Sequence, residues 1–227
     1  MLFEVIFVAT INKEFEGVLR KHMIRLPEAV LKAPGIRIFG RLIRSAVFST
    51  DVAIIRNTNA DAVIAVYPFT PLPVITAAVM TAADKPVFCG VGGGITRGDR
   101  VIDLALDAEF RGAIGVVVNA PTSNEVILKL SQKIDIPVLV TVVKPDEDFG
   151  GRLSAGASIL NVSGASKTPE IVKRIKDMYP DAPVIATGGP NDETILQTIE
   201  AGADAITYTP PSSAEIFKNI MNGYRQV

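Results

Sequence analysis

The sequence predicts a single (β/α)₈ barrel, and three observations favour this fold class. The 227 residues fit one barrel of this kind, which typically needs about 250. Short runs rich in Val, Ile and Ala recur at even spacing, and each is followed by polar turn residues and an amphipathic stretch. Continuous apolar runs are typical of parallel strands that helices cover on both faces. An open doubly wound sheet is the competing architecture, but its Gly-rich first turn is missing from the N-terminal third.

Seven apolar runs predict seven of the eight strands. They cover residues 62–67, 87–91, 113–118, 138–143, 158–162, 184–187 and 205–208. Two segments qualify as the remaining, first strand: residues 36–39 and residues 46–49. The segment 36–39 has the better spacing to the next strand and is preferred. We expect one domain over 1–227.

Residues 1–33 then form an N-terminal extension, with a strand or helix at 2–10 and a helix at 27–33 that starts from Pro27. Its apolar face is expected to close the bottom of the barrel or to join a partner subunit.

Helix signals stand between the predicted strands. Ser123 is suited to cap a helix over 124–133, and Pro169 stands in the first turn of another. Asn191 precedes a third helix, which Gly202 closes. The strands and helices therefore alternate along the chain, as the barrel requires.

Composition limits the partners and the setting. The chain has 23 Lys plus Arg and 24 Asp plus Glu, so its formal charge of −1 predicts no binding to nucleic acid or to an anionic membrane. The single cysteine, Cys89, allows no intramolecular disulfide and indicates a reducing, cytosolic compartment. Residues 2–9 have no basic leader, so we do not interpret them as a signal peptide, and no apolar stretch approaches the length of a membrane span. These features predict a soluble, cytosolic protein.

The sole histidine, His22, lies in the predicted extension, which argues against a Ser-His-Asp hydrolase and against a multi-histidine metal site. No cofactor and no metal is predicted.

The C-terminal quarter contains a recognisable pattern. The run Ile185-Ala186-Thr187-Gly188-Gly189 is followed by a predicted helix and then by Ala201-Gly202-Ala203-Asp204-Ala205-Ile206. Over residues 158–210 this resembles the phosphate-binding (β/α)₈ barrels, especially the 2-keto-3-deoxy-6-phosphogluconate aldolases and the ribulose-phosphate-binding barrels. The resemblance implies that Gly188 and Gly189 hold a substrate phosphate through their backbone N–H groups. A tight strand-to-helix turn without a ligand is the alternative for this glycine pair.

Two departures from the family pattern concern the chemistry. Asn161 stands where the Schiff-base lysine of those aldolases is expected, so no imine can form at that position. Thr207-Tyr208-Thr209-Pro210-Pro211 replaces the usual Gly-rich turn, and its prolines remove N–H donors.

Candidate catalytic residues are sought at the C-terminal strand ends, where barrel enzymes carry their sites. Lys144 follows the fifth predicted strand and is the candidate for an imine-forming or phosphate-pairing amine. A solvated loop lysine paired with Asp146 or Asp148 is the alternative. Tyr67 ends the second predicted strand and is a candidate acid, hydrogen-bond donor or pocket wall.

Candidate binding residues follow the remaining strands. Three glycines and a cation come after the third strand, where Thr96 is also suited to cap the next helix: Gly92, Gly93, Gly94 and Arg97. Uncharged hydrogen-bonding groups end the other strands: Asn119, Thr122, Asn161, Ser163, Thr187 and Thr207.

The sequence therefore predicts a cytosolic enzyme of lyase or isomerase type that acts on a small anionic or phosphorylated metabolite at the C-terminal mouth of the barrel. A ligand-binding or sensor barrel without catalysis is the alternative. A hydrolase that uses a metal held by Asp146 and Asp148 is a second, weaker alternative. Assembly as a homo-oligomer is left open.

Overall fold

A computed structural model describes residues 23–225, and a closed barrel of eight parallel strands lies at its centre. Two short strands, β1 (Ile36–Ile38) and β2 (Arg41–Ile43), precede the barrel. The barrel strands are β3 (Ser45–Phe48), β4 (Ala62–Ala65), β5 (Val87–Gly92), β6 (Gly115–Val118), β7 (Val138–Val142), β8 (Ile159–Val162), β9 (Val184–Thr187) and β10 (Ala205–Tyr208). Each pairs in parallel with the next, and β10 pairs with β3 to close the cylinder. The predicted (β/α)₈ class is confirmed, and all seven predicted runs form barrel strands.

Eight α-helices cover the outside of the barrel within the described range. They are α1 (Val52–Arg56), α2 (Pro73–Ala82), α3 (Asp99–Phe110), α4 (Asn124–Lys133), α5 (Phe149–Ser154), α6 (Thr168–Met178), α7 (Asp192–Glu200) and α8 (Ser213–Arg225). Asn191 caps α7 in a capping box with Thr194, as its position predicts. Ser123 stands at the N-cap position of α4, as predicted, but its side chain makes no cap bond to the helix. The capping prediction for Thr96 is wrong, because α3 starts after Gly98.

The preferred first strand is also wrong, because the barrel strand is β3 and the segment around 36–39 forms a hairpin instead. β1 and β2 pair in antiparallel fashion around Phe39 and Gly40, whose φ angles are 47° and 79°. Positive φ at both central residues is the geometry of a two-residue hairpin turn. The spacing argument failed because α1 is only five residues long. The Asp51 carboxylate, which accepts the N–H groups of Ala53 and Ile54, starts this short helix.

The hairpin closes the N-terminal end of the barrel. Ile38 and Ile43 are buried in the same apolar cluster as Phe88 and Leu139, which fill the barrel interior. The predicted extension was expected to close this end. Its described part instead forms a five-residue 3₁₀ helix, Glu28–Lys32, that packs outside the barrel against α7. The expected element at 2–10 lies outside the described residues, and the single-domain assignment stays a prediction.

Side-chain alternation along each strand separates two apolar cores. Ile185 belongs to the cluster inside the barrel, whereas Ala186 belongs to the cluster between strands and helices. Because successive side chains point to opposite faces, Thr187 faces the barrel interior again. The same rule identifies the inward-facing residue at the C-terminal end of each strand.

Candidate functional site

Hydrogen-bonding side chains line one wall of the barrel at its C-terminal end. The last inward-facing positions of four neighbouring strands, β7 to β10, are Thr141, Asn161, Thr187 and Thr207. The Asn161 amide donates to the Thr141 hydroxyl at 3.2 Å. Ser163 lies one inward step beyond Asn161 and accepts a long, 3.5 Å hydrogen bond from the Thr187 hydroxyl. The fold therefore brings together four of the predicted binding residues.

Thr207 is the member of this wall that lacks a partner. The residue is 6% exposed, and its hydroxyl oxygen is buried with no hydrogen-bond partner among the described residues. A buried hydroxyl without a partner costs about 1–3 kcal/mol, so Thr207 is a destabilising member of this wall. Its oxygen has almost no accessible surface, and the predicted binding role of Thr207 stays a prediction.

The opposite wall is apolar and contains a small cavity. Its inward positions are Phe48 on β3, Val66 after β4 and Gly90 on β5. A cavity of about 140 Å³ adjoins Val66 and Gly90 and also contacts the predicted residues Gly92, Gly94, Tyr67 and Asn119. We call the inward-facing ends of both walls, with this cavity, the mouth.

Tyr67 has a structural partner in its own loop. Its hydroxyl oxygen accepts the N–H of Leu72 at 2.9 Å, which closes the turn between β4 and α2. Phe69 and Ile95 flank the same cavity and are 75% and 84% exposed, so the rim of the mouth on this side is apolar. This geometry favours the pocket-wall alternative for Tyr67.

The glycine-rich loop after β5 is held by its neighbours rather than left free. The Gly93 N–H donates to the Thr96 carbonyl and the Asn119 N–H donates to the Gly92 carbonyl, each at 3.0 Å. The Arg97 side chain donates from Nε to the Gly94 carbonyl, also at 3.0 Å. The loop therefore has a defined shape without a ligand.

The glycine pair after β9 packs against protein. The Gly188 N–H donates to the Thr207 carbonyl at 3.3 Å, and a Cβ at Gly188 would lie 2.7 Å from Ile206 and 2.8 Å from Ile195. The first turn of α7 also carries two carboxylates, Asp192 and Glu193, which oppose a bound anion. The geometry favours the tight-turn alternative for Gly188, and anion binding at Gly189 stays a prediction.

Lys144 lies two residues beyond β7 and is exposed. No carboxylate within residues 23–225 forms a salt bridge with its amine, so the expected pairing with Asp146 or Asp148 is not observed there. Asp148 instead caps α5 by accepting the Gly151 N–H at 2.8 Å. Lys144 is therefore an exposed lysine in the loop after β7, and its catalytic role stays a prediction.

Sequence reasoning missed two charged residues that shape this side of the mouth. Glu147 accepts the backbone N–H groups of Val143 and Lys144 at 2.8 and 3.2 Å. Arg152 lies 3.9 Å from Glu147 and donates to the Ala120 carbonyl at 2.8 Å and to the Thr122 carbonyl. These bonds join the loops after β6 and β7. The sequence does show a carboxylate just past the end of β7 and an arginine five residues later, and this pair was the signal that could have identified both residues.

Other predictions about reactive groups have mixed outcomes. Burial raises the pKa of the Cys89 thiol to about 12, and the residue is 2% exposed, so Cys89 is a core residue. Within residues 23–225, no group of three or more His, Cys, Asp or Glu side chains could hold a metal ion. The metal-dependent hydrolase therefore has no geometric support in that range. His22 lies outside the described residues.

Comparisons with known proteins identify barrels of the same fold. No protein-family model and no curated protein sequence matches the chain. A candidate phosphonomutase from Burkholderia cenocepacia J2315 matches with a TM-score of 0.62 and 16% identity, over 80% of this chain and 92% of that chain. A phosphoenolpyruvate phosphomutase from Streptomyces platensis subsp. rosaceus matches with a TM-score of 0.61 and 13% identity, over 87% and 83%. The 4-hydroxy-tetrahydrodipicolinate synthase from Methylacidiphilum fumariolicum SolV matches with a TM-score of 0.56 and 13% identity, over 73% and 67%. At these identities the similarity establishes the barrel fold.

Proposed function

We propose that this chain is an enzyme of lyase or isomerase type that acts on a small anionic or phosphorylated metabolite at the mouth. The observation that carries the proposal is the wall of uncharged hydrogen-bonding side chains at the C-terminal end of the barrel, where Asn161 and Thr187 are partly buried and Ser163 is exposed. Barrel enzymes carry their sites at this end of the strands. The similar Streptomyces barrel has phosphoenolpyruvate in its name, a small phosphorylated acid, which agrees with the proposed substrate class.

In this proposal the wall binds and Lys144 reacts. The Asn161 amide and the Ser163 hydroxyl hold carbonyl or hydroxyl oxygens of the substrate. The Lys144 amine adds to a substrate ketone or aldehyde, whose oxygen leaves as water, and the resulting imine accepts electrons from the neighbouring bond that breaks. Glu147 supports this role because it fixes the backbone on which Lys144 stands. Tyr67 is retained as an acid or as a wall of the pocket.

Borohydride trapping tests the reacting group. The full chain is incubated with pyruvate or with glyceraldehyde 3-phosphate, reduced, and analysed by peptide mass spectrometry. We expect an adduct on Lys144 that is lost in Lys144→Arg and kept in Lys167→Arg, which alters another exposed lysine after the next strand. An adduct that persists in Lys144→Arg removes Lys144 from the proposal, and the absence of any adduct removes the imine.

A ligand-binding barrel without catalysis is the second candidate, and one observation favours it. The inward-facing side chains at the mouth, as the alternation assigns them, carry no titratable group. Such a barrel would be stabilised by phosphorylated ligands in thermal unfolding without any turnover, and Asn161→Ala would abolish the stabilisation. If the chain turns over any ligand that stabilises it, the chain is an enzyme and the second candidate is wrong.

The setting and the partners belong to the same proposal. None of the helices between residues 23 and 225 is long and apolar enough to cross a membrane. We propose a cytosolic location and a small anionic molecule as the partner, without binding to nucleic acid or membrane. Assembly as a homo-oligomer is left open.

A further inference from the structure

The polar and the apolar wall of the mouth stand on opposite sides of the barrel. In the closed cylinder β4 lies four strands from β8 in either direction, and β5 lies four strands from β9. Val66, which follows β4, is therefore across the mouth from Asn161 on β8, and Gly90 on β5 is across from Thr187 on β9. A ligand that spans the mouth contacts hydrogen-bonding groups at one end and apolar groups at the other.

The apolar side of the mouth holds the cavity of about 140 Å³. We call it the apolar cavity, and the residues used to define it are Val66, Tyr67, Phe69, Gly90, Ile95 and Asn119. An apolar cavity of about 150 Å³ is large enough to bind benzene. A branched alkyl group or one aromatic ring therefore fits the apolar cavity, whereas a second ring does not.

Exposed apolar side chains stand at the edge of the apolar cavity on two different loops. Phe69, in the loop after β4, is 75% exposed, and Ile95, in the loop after β5, is 84% exposed. Pro68 is exposed as well, and Val66 is partly buried. A single exposed apolar side chain is ordinary, but several around one cavity form a patch that a ligand can cover.

The apolar cavity offers little to a charged or polyhydroxylated group. Its described lining contains no charged side chain. The Tyr67 hydroxyl oxygen already accepts the Leu72 N–H at 2.9 Å, and the Thr96 hydroxyl oxygen is buried. Asn119 is the remaining polar side chain of the described lining. A phosphate or a chain of sugar hydroxyls placed here would lose water and find few partners, which costs free energy.

Gly90 preserves the space at the wall of the apolar cavity. It is the inward-facing residue near the end of β5, and it contributes no side chain to the mouth. A Cβ at this position would lie 3.0 Å from Cγ2 of Val66 and 3.1 Å from the Ala65 carbonyl oxygen. Any larger residue would therefore press on Val66.

We propose that the substrate of the mouth is a small oxo acid with a branched alkyl or aromatic group, and that the apolar cavity binds this group. The carboxylate and carbonyl end of the substrate lies against Asn161 and Ser163, while the apolar group contacts Val66, Phe69 and Ile95. This inference rests on the function proposed above and narrows its substrate class, because it favours an amphipathic acid over a sugar phosphate.

Three 2-oxo acids test this preference on the full chain. 4-Methyl-2-oxopentanoate carries an isobutyl group, pyruvate carries only a methyl group, and 2-oxoglutarate carries a second carboxylate in place of the apolar branch. Amide NMR titration of the isotope-labelled chain gives each dissociation constant and locates the ligand, since residues 66–71 and 94–96 report on the apolar cavity and residues 161–163 on the opposite wall.

The isobutyl acid should bind about tenfold or more tightly than either of the other two acids, because one methylene in an apolar pocket already gives about tenfold discrimination. It should shift both sets of resonances. Pyruvate and 2-oxoglutarate should shift mainly those of residues 161–163.

The matched variants change exposed side chains only. Phe69→Ser with Ile95→Ser removes the apolar edge of the cavity, and Leu31→Ser with Phe110→Ser removes two side chains that are 67% and 82% exposed and do not line it. Because all four side chains are exposed, neither pair should change the unfolding temperature appreciably. We expect the first pair to bind 4-methyl-2-oxopentanoate about fivefold or more weakly and pyruvate unchanged, and the second pair to bind both acids as the wild type does.

The preference is wrong if the three acids bind equally well, if 2-oxoglutarate binds most tightly, or if Phe69→Ser with Ile95→Ser keeps the wild-type affinities. In these cases an anion still binds at the mouth and the proposed function stands. If none of the acids binds there, the preference fails as well, whereas the proposed function fails only if glyceraldehyde 3-phosphate also gives no adduct on Lys144. A preference for the isobutyl acid without any adduct removes the imine and leaves the substrate class in place.

Discussion

Gly93 provides the sharpest test of the loop geometry, because alanine at this position meets backbone atoms that cannot move aside. The residue has φ of +101°, and its Cβ would lie 2.1 Å from Thr122 Oγ1, 2.7 Å from the Asn119 nitrogen and 2.9 Å from the Asn119 oxygen. A side chain in this backbone region costs about 1–3 kcal/mol, and overpacking adds about 1–3 kcal/mol. Gly93→Ala should therefore lower the free energy of unfolding by roughly 2–6 kcal/mol, or the Tm by roughly 5–20 °C.

The neighbouring glycine is the matched control. A Cβ at Gly94 would have no atom within 4 Å, and its φ lies outside the left-handed range. Gly94→Ala should change the free energy of unfolding by less than about 1 kcal/mol. Adding Thr122→Ala to Gly93→Ala should restore only part of the loss, because the Asn119 backbone contacts remain. Denaturant unfolding measures all three variants, and equal stabilities of Gly93→Ala and Gly94→Ala would refute the reasoning.

Three further predictions concern groups outside the glycine loop. Arg152→Met should lower the free energy of unfolding by about 1–3 kcal/mol, because partly buried carbonyls of the loop after β6 lose their donor. Arg152→Lys should not restore it, and a loss below about 0.5 kcal/mol in denaturant unfolding would contradict this. The Cys89 thiol, with its pKa raised to about 12, should resist thiol reagents in the native state at about pH 8, and its contribution to stability should be lost as the pH rises from about 9 towards 12. Rapid labelling of the native protein would contradict this prediction, because it would show that the Cys89 thiol is accessible. The pKa of Asp51 is lowered chiefly by the Ser213 hydroxyl, so this carboxylate stabilises the fold above its ordinary pKa of 3.8 and less as the pH falls below it. Ser213→Ala should reduce this acid sensitivity, and an unchanged stability profile between about pH 2 and 5 would contradict it.

The strands of the barrel were predictable because each is buried on both faces and therefore shows an uninterrupted apolar run. The run containing Ala46 and Val47 is just as buried, yet it directly follows a hairpin that also contributes buried apolar residues, Ile38 and Ile43. Apolar content alone cannot separate a barrel strand from a hairpin that plugs the barrel end. The turn between the two hairpin strands separates the cases. Phe39 and Gly40 both have positive φ, and a two-residue turn of this kind joins antiparallel strands.

The uncharged wall of the mouth was also within reach of the sequence. Asn161, Thr187 and Thr207 end apolar runs, and parallel strands present their carboxyl ends at one side of the barrel. Glu147 binds N–H groups three and four positions before it in its own loop, so a local pattern was available for it. For Arg152 the sequence shows the side chain but not its partners, which are carbonyls about thirty positions away on another loop.

The two glycine motifs show most clearly where sequence reasoning ends. Both follow a barrel strand and both precede a helix, so backbone freedom alone makes each an equally good anion loop. The difference lies in what occupies the space of the missing Cβ: at Gly188 it is Ile195 and Ile206, whereas at Gly93 it is the Thr122 hydroxyl beside an open cavity. In both loops protein atoms fill the space that a Cβ would take, so close packing alone explains each glycine. The sequence shows the glycines of both loops alike, and only the packed structure identifies the atoms that require them.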